Sequence, residues 1–192
     1  MGERAKERKR RGVPVVGVVG RSGVGKTSLL ELLIAALEER GIAVGAAKHA
    51  SHGFLADRPG KDSHRLYESG ARAVALLSGE QSATFVRRQD PPSIDAALEA
   101  LPADLDLVLV EGFSWEPIPR VVVAGPGREP RSEGLTAGEV IAVVTVQGYR
   151  EAGPPRFDGA ELEALLQRLV AWVASGADAP VAADASPEEA SP

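Results

Sequence analysis

The sequence predicts an α/β fold of three layers, α/β/α, around a mostly parallel sheet, and three observations carry the prediction. First, 13–19, 105–110 and 140–146 are near-continuous apolar runs of strand length, the pattern of parallel strands covered on both faces. Second, apolar residues recur at helical spacing between and after these runs, above all over 26–40 and 159–175. Third, the first strand run opens into Gly20-Arg21-Ser22-Gly23-Val24-Gly25-Lys26-Thr27, which satisfies G-x-x-x-x-G-K-[ST] at every specified position and leads straight into a helical pattern. Strand, glycine-rich loop and helix in that order are the context of a P-loop, so the architecture expected is of the P-loop NTPase type.

Taken in order, residues 1–12 are rich in Lys and Arg and read as a solvated basic tail rather than a nucleic-acid patch. The nucleotide-binding domain is expected over 13–175. A disordered acidic tail, 176–192, follows, too polar and proline-interrupted to bury a core. The helix over 26–40 places Leu29, Leu30, Leu32, Leu33 and Leu37 on or near one face, and Gly41 ends it. A second strand over 42–47 returns beside the first or nearly so. Lys48 and His49 stand at its C-terminal end, the edge at which open α/β sheets bind ligands.

Residues 50–61 are polar without a period and read as a loop. A short helix over 62–69 follows, with Asp62 as its N-cap and Gly70 as its stop. Strands over 73–77 and 82–86 pair as a hairpin through Ser78–Gln81. Ser93 caps a helix over 94–101, and the strand over 105–110 ends at Glu111-Gly112. After a loop come a strand over 120–124, a Gly-, Pro- and charge-rich crossing over 125–138, a strand over 140–146 and the last helix. In that helix Leu162, Leu165, Leu166, Leu169, Val170 and Val173 form the apolar side, with Trp172 at its edge.

The whole chain narrows the function classes. Its 192 residues carry a net charge of -5 and no cysteine, which removes disulfides, thiolate metal sites and cysteine nucleophiles and fits a reducing cytoplasm. No apolar run is long enough to span a membrane, and no signal-peptide core follows the charged opening. A cytoplasmic protein with neither membrane nor nucleic-acid partner is expected.

The chemistry starts in the loop. Gly20, Gly23 and Gly25 lack Cβ atoms, so the backbone from Gly20 through Arg21, Ser22, Gly23, Val24, Gly25, Lys26 and Thr27 to Ser28 can turn successive N–H groups toward one anion. Lys26 is expected to reach the β- and γ-phosphates and Thr27 to hold Mg2+. A helix N-terminus adds its positive end at the same point. An apolar strand ending in Glu111 supplies the carboxylate such a site needs on a neighbouring strand, to hold the Mg2+ shell or orient a water. Lys26 and Glu111 are thus the catalytic candidates, and Thr27 and Glu111 the metal candidates. Asp106, near the strand start, reads as a solvated or capping acid.

Lys48 and His49 read as polar groups facing the nucleotide or a second anionic substrate rather than as metal ligands, because Lys48 would repel a cation. The Asp57–Ser63 loop has two readings, a solvated surface loop or a lid carrying Lys61, Asp62 and Arg65 over the phosphates with Asp62 as a third Mg2+ contact. Arg21, Arg65 and a residue of a second subunit are the candidates for an arginine finger. From these residues, a small-molecule kinase or ATP-dependent synthetase and a non-catalytic nucleotide-gated binding module are both alternatives to a GTPase.

The loop, Lys48-His49, Asp57-x-Pro59-Gly60-Lys61-Asp62-Ser63-x-Arg65 with Gly70-Ala71, and Leu109-Val110-Glu111-Gly112-Phe113 together resemble the molybdopterin-guanine dinucleotide biosynthesis protein B family, MobB. The resemblance runs from about Val13 to Val146 and more weakly through Phe157-Asp158 and the last helix. It implies a GTP-binding, usually dimeric P-loop protein with weak Mg2+-dependent GTPase activity. It also implies work beside the guanylyltransferase MobA, which attaches GMP to molybdopterin. The resemblance supports phosphate roles for Gly23, Gly25 and Lys26, a Mg2+ role for Thr27 and active-site positions for Lys48, His49, Asp62 and Glu111. The family often has a lysine where Arg120 stands, and an aspartate after the late strand where this chain has Thr145-Val146-Gln147. Guanine preference rests on the resemblance, since the chain has no Asn-Lys-x-Asp segment.

Overall fold

The computed structural model describes residues 12–55, 57–125, 138–147 and 155–176. Most of the basic and acidic tails, and the crossing at 126–137, lie outside the described residues. The first elements are β1 (Val15–Val19), α1 (Lys26–Glu38), β2 (Val44–Lys48), α2 (Asp62–Glu68), β3 (Ala73–Leu77) and β4 (Ser82–Val86). They are followed by α3 (Ile94–Glu99), β5 (Leu107–Glu111), β6 (Arg120–Ala124), β7 (Val140–Gln147), β8 (Arg156–Phe157) and α4 (Gly159–Ser175). The chain forms two compact units, one from the residues up to His49 with those from Ser93 onward, the other from Ala50 to Pro92.

The larger unit is a six-stranded sheet in the order β2-β5-β1-β6-β7-β8, parallel except for the antiparallel β7–β8 pair. Alternation along the strands sends their side chains into two cores. Val16 and Val18 of β1, Leu107 and Leu109 of β5, and Val121 and Val123 of β6 pack with Leu29, Leu33 and Leu37 of α1 and Leu165, Leu166 and Leu169 of α4. Val15, Val108 and Val110 pack on the opposite side with Ile94 and Leu98 of α3, Phe113 and Ile118. Helices on both faces of the sheet make the predicted three layers. Cutting Leu169, fully buried, back to alanine would cost about 2–5 kcal/mol, the transfer term plus the cavity left behind.

Several local expectations need correction. Trp172 is not at an edge; it is 4% exposed inside the core that α1 and α4 share with the sheet. Leu32 faces out from α1, a quarter-turn away from the buried stripe of Leu29, Leu33 and Leu37. Lys61, not Asp62, is the N-cap of α2; Asp62 is the first helical residue, where a negative charge suits the helix dipole. The two-residue β8 is too short to leave a periodic signal. Ser93 does cap α3, its Oγ accepting from Ala96 N at 3.2 Å, and Asp158 caps α4 by accepting from Ala160 N and Glu161 N. Asp106 acts as a cap too, holding Ala43 N at 2.9 Å just ahead of β2.

The smaller unit is the expected hairpin, β3 and β4 paired antiparallel, with α2 against β3. Its turn is fastened by Ser78, whose N–H donates to Gln81 O at 2.9 Å while its Oγ accepts from Gln81 N at 3.1 Å. Ahead of α2, Ser63 Oγ donates to Asp57 Oδ2 and Asp57 Oδ1 accepts from Arg58 N. These bonds, Ser63's first, hold the Asp57 carboxyl below its ordinary 3.8. Arg87 lies over the Tyr67 ring at 4.0 Å and donates to Tyr67 O and Ala71 O, joining β4 to the end of α2.

Candidate functional site

The loop between β1 and α1 has the backbone the motif requires. Gly20, Gly23 and Gly25 have φ of 152°, 73° and 105°, and a Cβ at Gly20 would stand 2.6 Å from Val123 O of the adjacent strand β6. Only glycine suits such positions. Arg21, Ser22 and Gly23 are exposed, whereas the Val24 side chain is buried in the core, which leaves Val24 its backbone to offer a ligand. Ser28 and Gly25 are half-buried, Gly25 under Pro155 and Val146.

Lys26 folds back over its own loop, Nζ donating to Gly20 O at 3.1 Å and Arg21 O at 2.9 Å. Burial lowers its pKa from the ordinary 10.5; the nearby Glu111 carboxylate opposes that shift and Lys48 adds to it. A cation held this way, among carbonyls in a partly desolvated pocket, is poised for an anion.

Strand register delivers the carboxylate. Because β5 lies between β1 and β2, Glu111 at its C-terminal end is paired with Val18 on one side and Lys48 on the other. Its side chain reaches across the loop: Thr27 Oγ1 donates to Glu111 Oε2 at 2.7 Å, and Lys48 Nζ lies 3.2 Å from Glu111 Oε1. Thr27 and Glu111 are hard oxygen donors, the chemistry Mg2+ takes, and Mg2+ commonly uses one or two protein oxygens with phosphates and water for the rest. These residues fit the ion. Among the described residues no cluster of three or more His, Cys, Asp or Glu is arranged to hold a metal by itself.

His49, one residue past β2, donates its N–H to Glu111 O at 3.0 Å, and its ring joins an aromatic group rather than standing free. Gly112 and Phe113 take φ of 88° and 54°, turning the chain sharply after Glu111. Phe113 is thereby buried in the α3-side core, and Trp115 stands edge-on to His49 with ring centroids 4.8 Å apart. Arg120 is 1% exposed; its Nη1 donates to Ser114 O at 3.0 Å and its Nη2 to Glu116 O at 2.8 Å. Glu116 in turn accepts from Ile94 N at 3.1 Å, tying the loop to the start of α3. Arg120 is therefore a buried clamp on the loop after β5. Sequence reasoning named Phe113 and Arg120 only as positions in the family resemblance and passed over Trp115, and the signal available was an aromatic pair just past Glu111-Gly112.

Lys61, Asp62 and Arg65 belong to the smaller unit. There Lys61 caps α2, and the exposed Asp62 carboxylate lies 3.6 Å from Arg65 Nη1, one helical turn on.

A parallel sheet with helices on both faces, and a glycine-rich strand-to-helix loop at its C-terminal edge, define a P-loop NTPase-like α/β protein. Residues 15–146 match the MobB family, described as molybdopterin guanine dinucleotide synthesis protein B, and the chain belongs to that family. It is 43% identical over 112 residues to the molybdopterin-guanine dinucleotide biosynthesis adapter protein of Haemophilus influenzae, a match spanning 58% of this chain and 63%, just under two thirds, of that protein. With the protein of the same name from Escherichia coli it is 34% identical over 164 residues, 84% of this chain and 94% of the relative. A crystal structure of molybdopterin-guanine biosynthesis protein B superposes with a TM-score of 0.62 at 30% identity, covering 83% of this chain and 99% of the other.

Proposed function

We propose that this chain binds GTP with Mg2+ at the Gly20–Ser28 loop and serves molybdopterin guanine dinucleotide biosynthesis as an accessory to the guanylyltransferase that joins GMP to molybdopterin. The observation that carries the reading is the Thr27–Glu111 contact, which unites the loop with a carboxylate from a neighbouring strand in a chain of this family. In this reading the loop N–H groups cradle the phosphates, and Lys26 leaves the carbonyls of Gly20 and Arg21 for the β- and γ-phosphates. Thr27 and Glu111 hold Mg2+, whose charge, when bound, offsets that of the phosphates. Lys48 and His49 border a second anionic ligand. Hydrolysis is slow, because Lys26 of the loop and Glu111 at the end of β5 form an incomplete set until an arginine, Arg21, Arg65 or one from a second subunit, engages the transferred phosphate.

A homodimer is part of the same proposal. A two-stranded hairpin is marginal on its own, and Phe54, Leu55, Leu66 and Leu77 in that unit are exposed, a surface suited to a second copy. Sedimentation giving a monomer at micromolar concentration would remove this part. In keeping with a cytoplasmic setting, no helix among the described residues is long and apolar enough to cross a membrane.

Competitive titration of GTP and ATP with Mg2+, with and without the molybdopterin-loaded guanylyltransferase, tests the core of the reading. GTP is expected to bind more tightly, Lys26→Ala to abolish binding and nucleotide-dependent capture of the partner, and turnover to stay below about 1 per second. Tight ATP binding without GTP affinity, with a phosphorylated acceptor formed in step with ADP, would replace it with the kinase or synthetase reading.

A further inference from the structure

Both oxygens of Glu111 already have partners, and the two partners differ in kind. Thr27 Oγ1 donates to Oε2 at 2.7 Å, a neutral hydroxyl from the first turn of α1, while Lys48 Nζ stands 3.2 Å from Oε1 and brings a full charge. The pair is also uneven in burial: the Glu111 side chain is 12% exposed and that of Lys48 59%. The carboxylate is sequestered, whereas the ammonium sits on a flexible four-carbon stem that can swing toward solvent.

The fold sets this pairing. Parallel register between β2 and β5 puts Lys48 opposite Glu111, and the next residue, His49, donates its N–H to Glu111 O at 3.0 Å. Alternation places Glu111 on the face of β5 from which Leu107 and Leu109 pack against α1, the face that the Gly20–Thr27 loop adjoins. Lys26 is near enough for the charges of both Glu111 and Lys48 to act on it. Two ammonium groups therefore share one carboxylate, and the site's own side chains carry surplus positive charge. A divalent cation approaching Glu111 meets strong repulsion in this partly desolvated setting. A phosphate chain reverses the balance, because its oxygens offer both lysines charge-assisted hydrogen bonds.

We propose that Lys48 is the resident counter-ion of Glu111, keeping divalent cations off the carboxylate until an anionic ligand draws its ammonium away. Lys48 is thereby a specificity-determining residue, since it makes metal entry conditional on the anion. The inference rests on the reading above that Thr27 and Glu111 hold Mg2+ beside GTP.

Mn2+ is the probe, counted by loss of the free-ion EPR signal on the full chain carrying no polyhistidine tag. Without nucleotide, wild type is expected to bind Mn2+ at least about tenfold more weakly than Lys48→Met, which keeps the stem but leaves a largely buried carboxylate without its counter-charge. Lys48→Arg retains a cation opposite Glu111 and should behave as wild type. Adding Glu111→Gln to Lys48→Met should remove the gain, which locates it at this carboxylate. With GTP present, Mn2+ affinity should rise by a factor about tenfold larger in wild type than in Lys48→Met, because the coupling runs through the displaced ammonium. Equal Mn2+ binding by wild type and Lys48→Met without nucleotide, the result a merely structural ion pair predicts, would overturn the assignment, as would a gain that survives Glu111→Gln. GTP binding followed in the same samples separates the two readings: Mg2+-dependent GTP binding with no gain in Lys48→Met removes the counter-ion alone, whereas absent GTP binding by wild type removes the function proposed above.

Discussion

Thr27 Oγ1 and Glu111 Oε2 are 2.7 Å apart although 84 positions separate them in the chain. One lies in the first turn of the helix that leaves the glycine-rich loop, and the other ends the strand next to the edge strand of the sheet. Their meeting converts two local motifs into one oxygen-lined site, and Lys48 completes it by pairing with the far oxygen of the same carboxylate.

Replacing Glu111 with glutamine keeps an acceptor for Thr27 while removing the charge. We expect nucleotide binding in the presence of a chelator to change little, and the gain on adding Mg2+ to fall about tenfold or more, equivalent to about 1.4 kcal/mol or greater. Parallel titrations with Mg2+ and with chelator measure both. An undiminished Mg2+ gain would show that the carboxylate is not a partner of the ion.

The lowered pKa of Lys26 has a signed consequence. Burial makes the folded chain hold this proton less tightly than the unfolded chain, so its contribution to stability rises with pH between the lowered value and 10.5. Bound phosphates favour the ammonium, and nucleotide binding at alkaline pH, between the lowered value and 10.5, is therefore expected to take up protons. Binding enthalpies in buffers of different ionisation enthalpy report the uptake. Enthalpies independent of buffer would contradict the assignment.

Gly20 and Gly41 both have positive φ, 152° and 76°, but only at Gly20 would a Cβ meet backbone, Val123 O at 2.6 Å. Gly20→Ala is expected to destabilise by about 2–3 kcal/mol and weaken anion binding, whereas Gly41→Ala, with open space around it, costs about 1 kcal/mol. Urea unfolding of the pair decides the matter. Equal losses would mean that contact with β6 is unimportant.

Arg120→Met leaves the carbonyls of Ser114 and Glu116 without the guanidinium donors, a loss of about 2–3 kcal/mol. Arg120→Lys is expected to recover only part of it, since an ammonium cannot present two parallel donors in a fixed fork. Urea unfolding gives the stabilities and the Trp115 indole resonance gives the state of the loop. Full recovery by lysine would show that charge alone suffices.

What the chain declares by itself is what neighbouring residues encode. The strand runs, the stripe of Leu29, Leu33 and Leu37, the Ser93 cap and the Gly20–Thr27 loop are patterns within a few positions, and the described structure contains each of them. Glu111 was legible as a strand-end acid, and the family was legible from its motifs. Tertiary structure alone decided which residues meet. The order β2-β5-β1 sets Glu111 between Lys48 and the loop, the packing of α4 with α1 and the sheet buries Trp172, and Arg120 turns inward to hold the carbonyls around Trp115. Register and packing are settled between segments far apart in the chain, by burial summed over whole faces, and no local spacing records them.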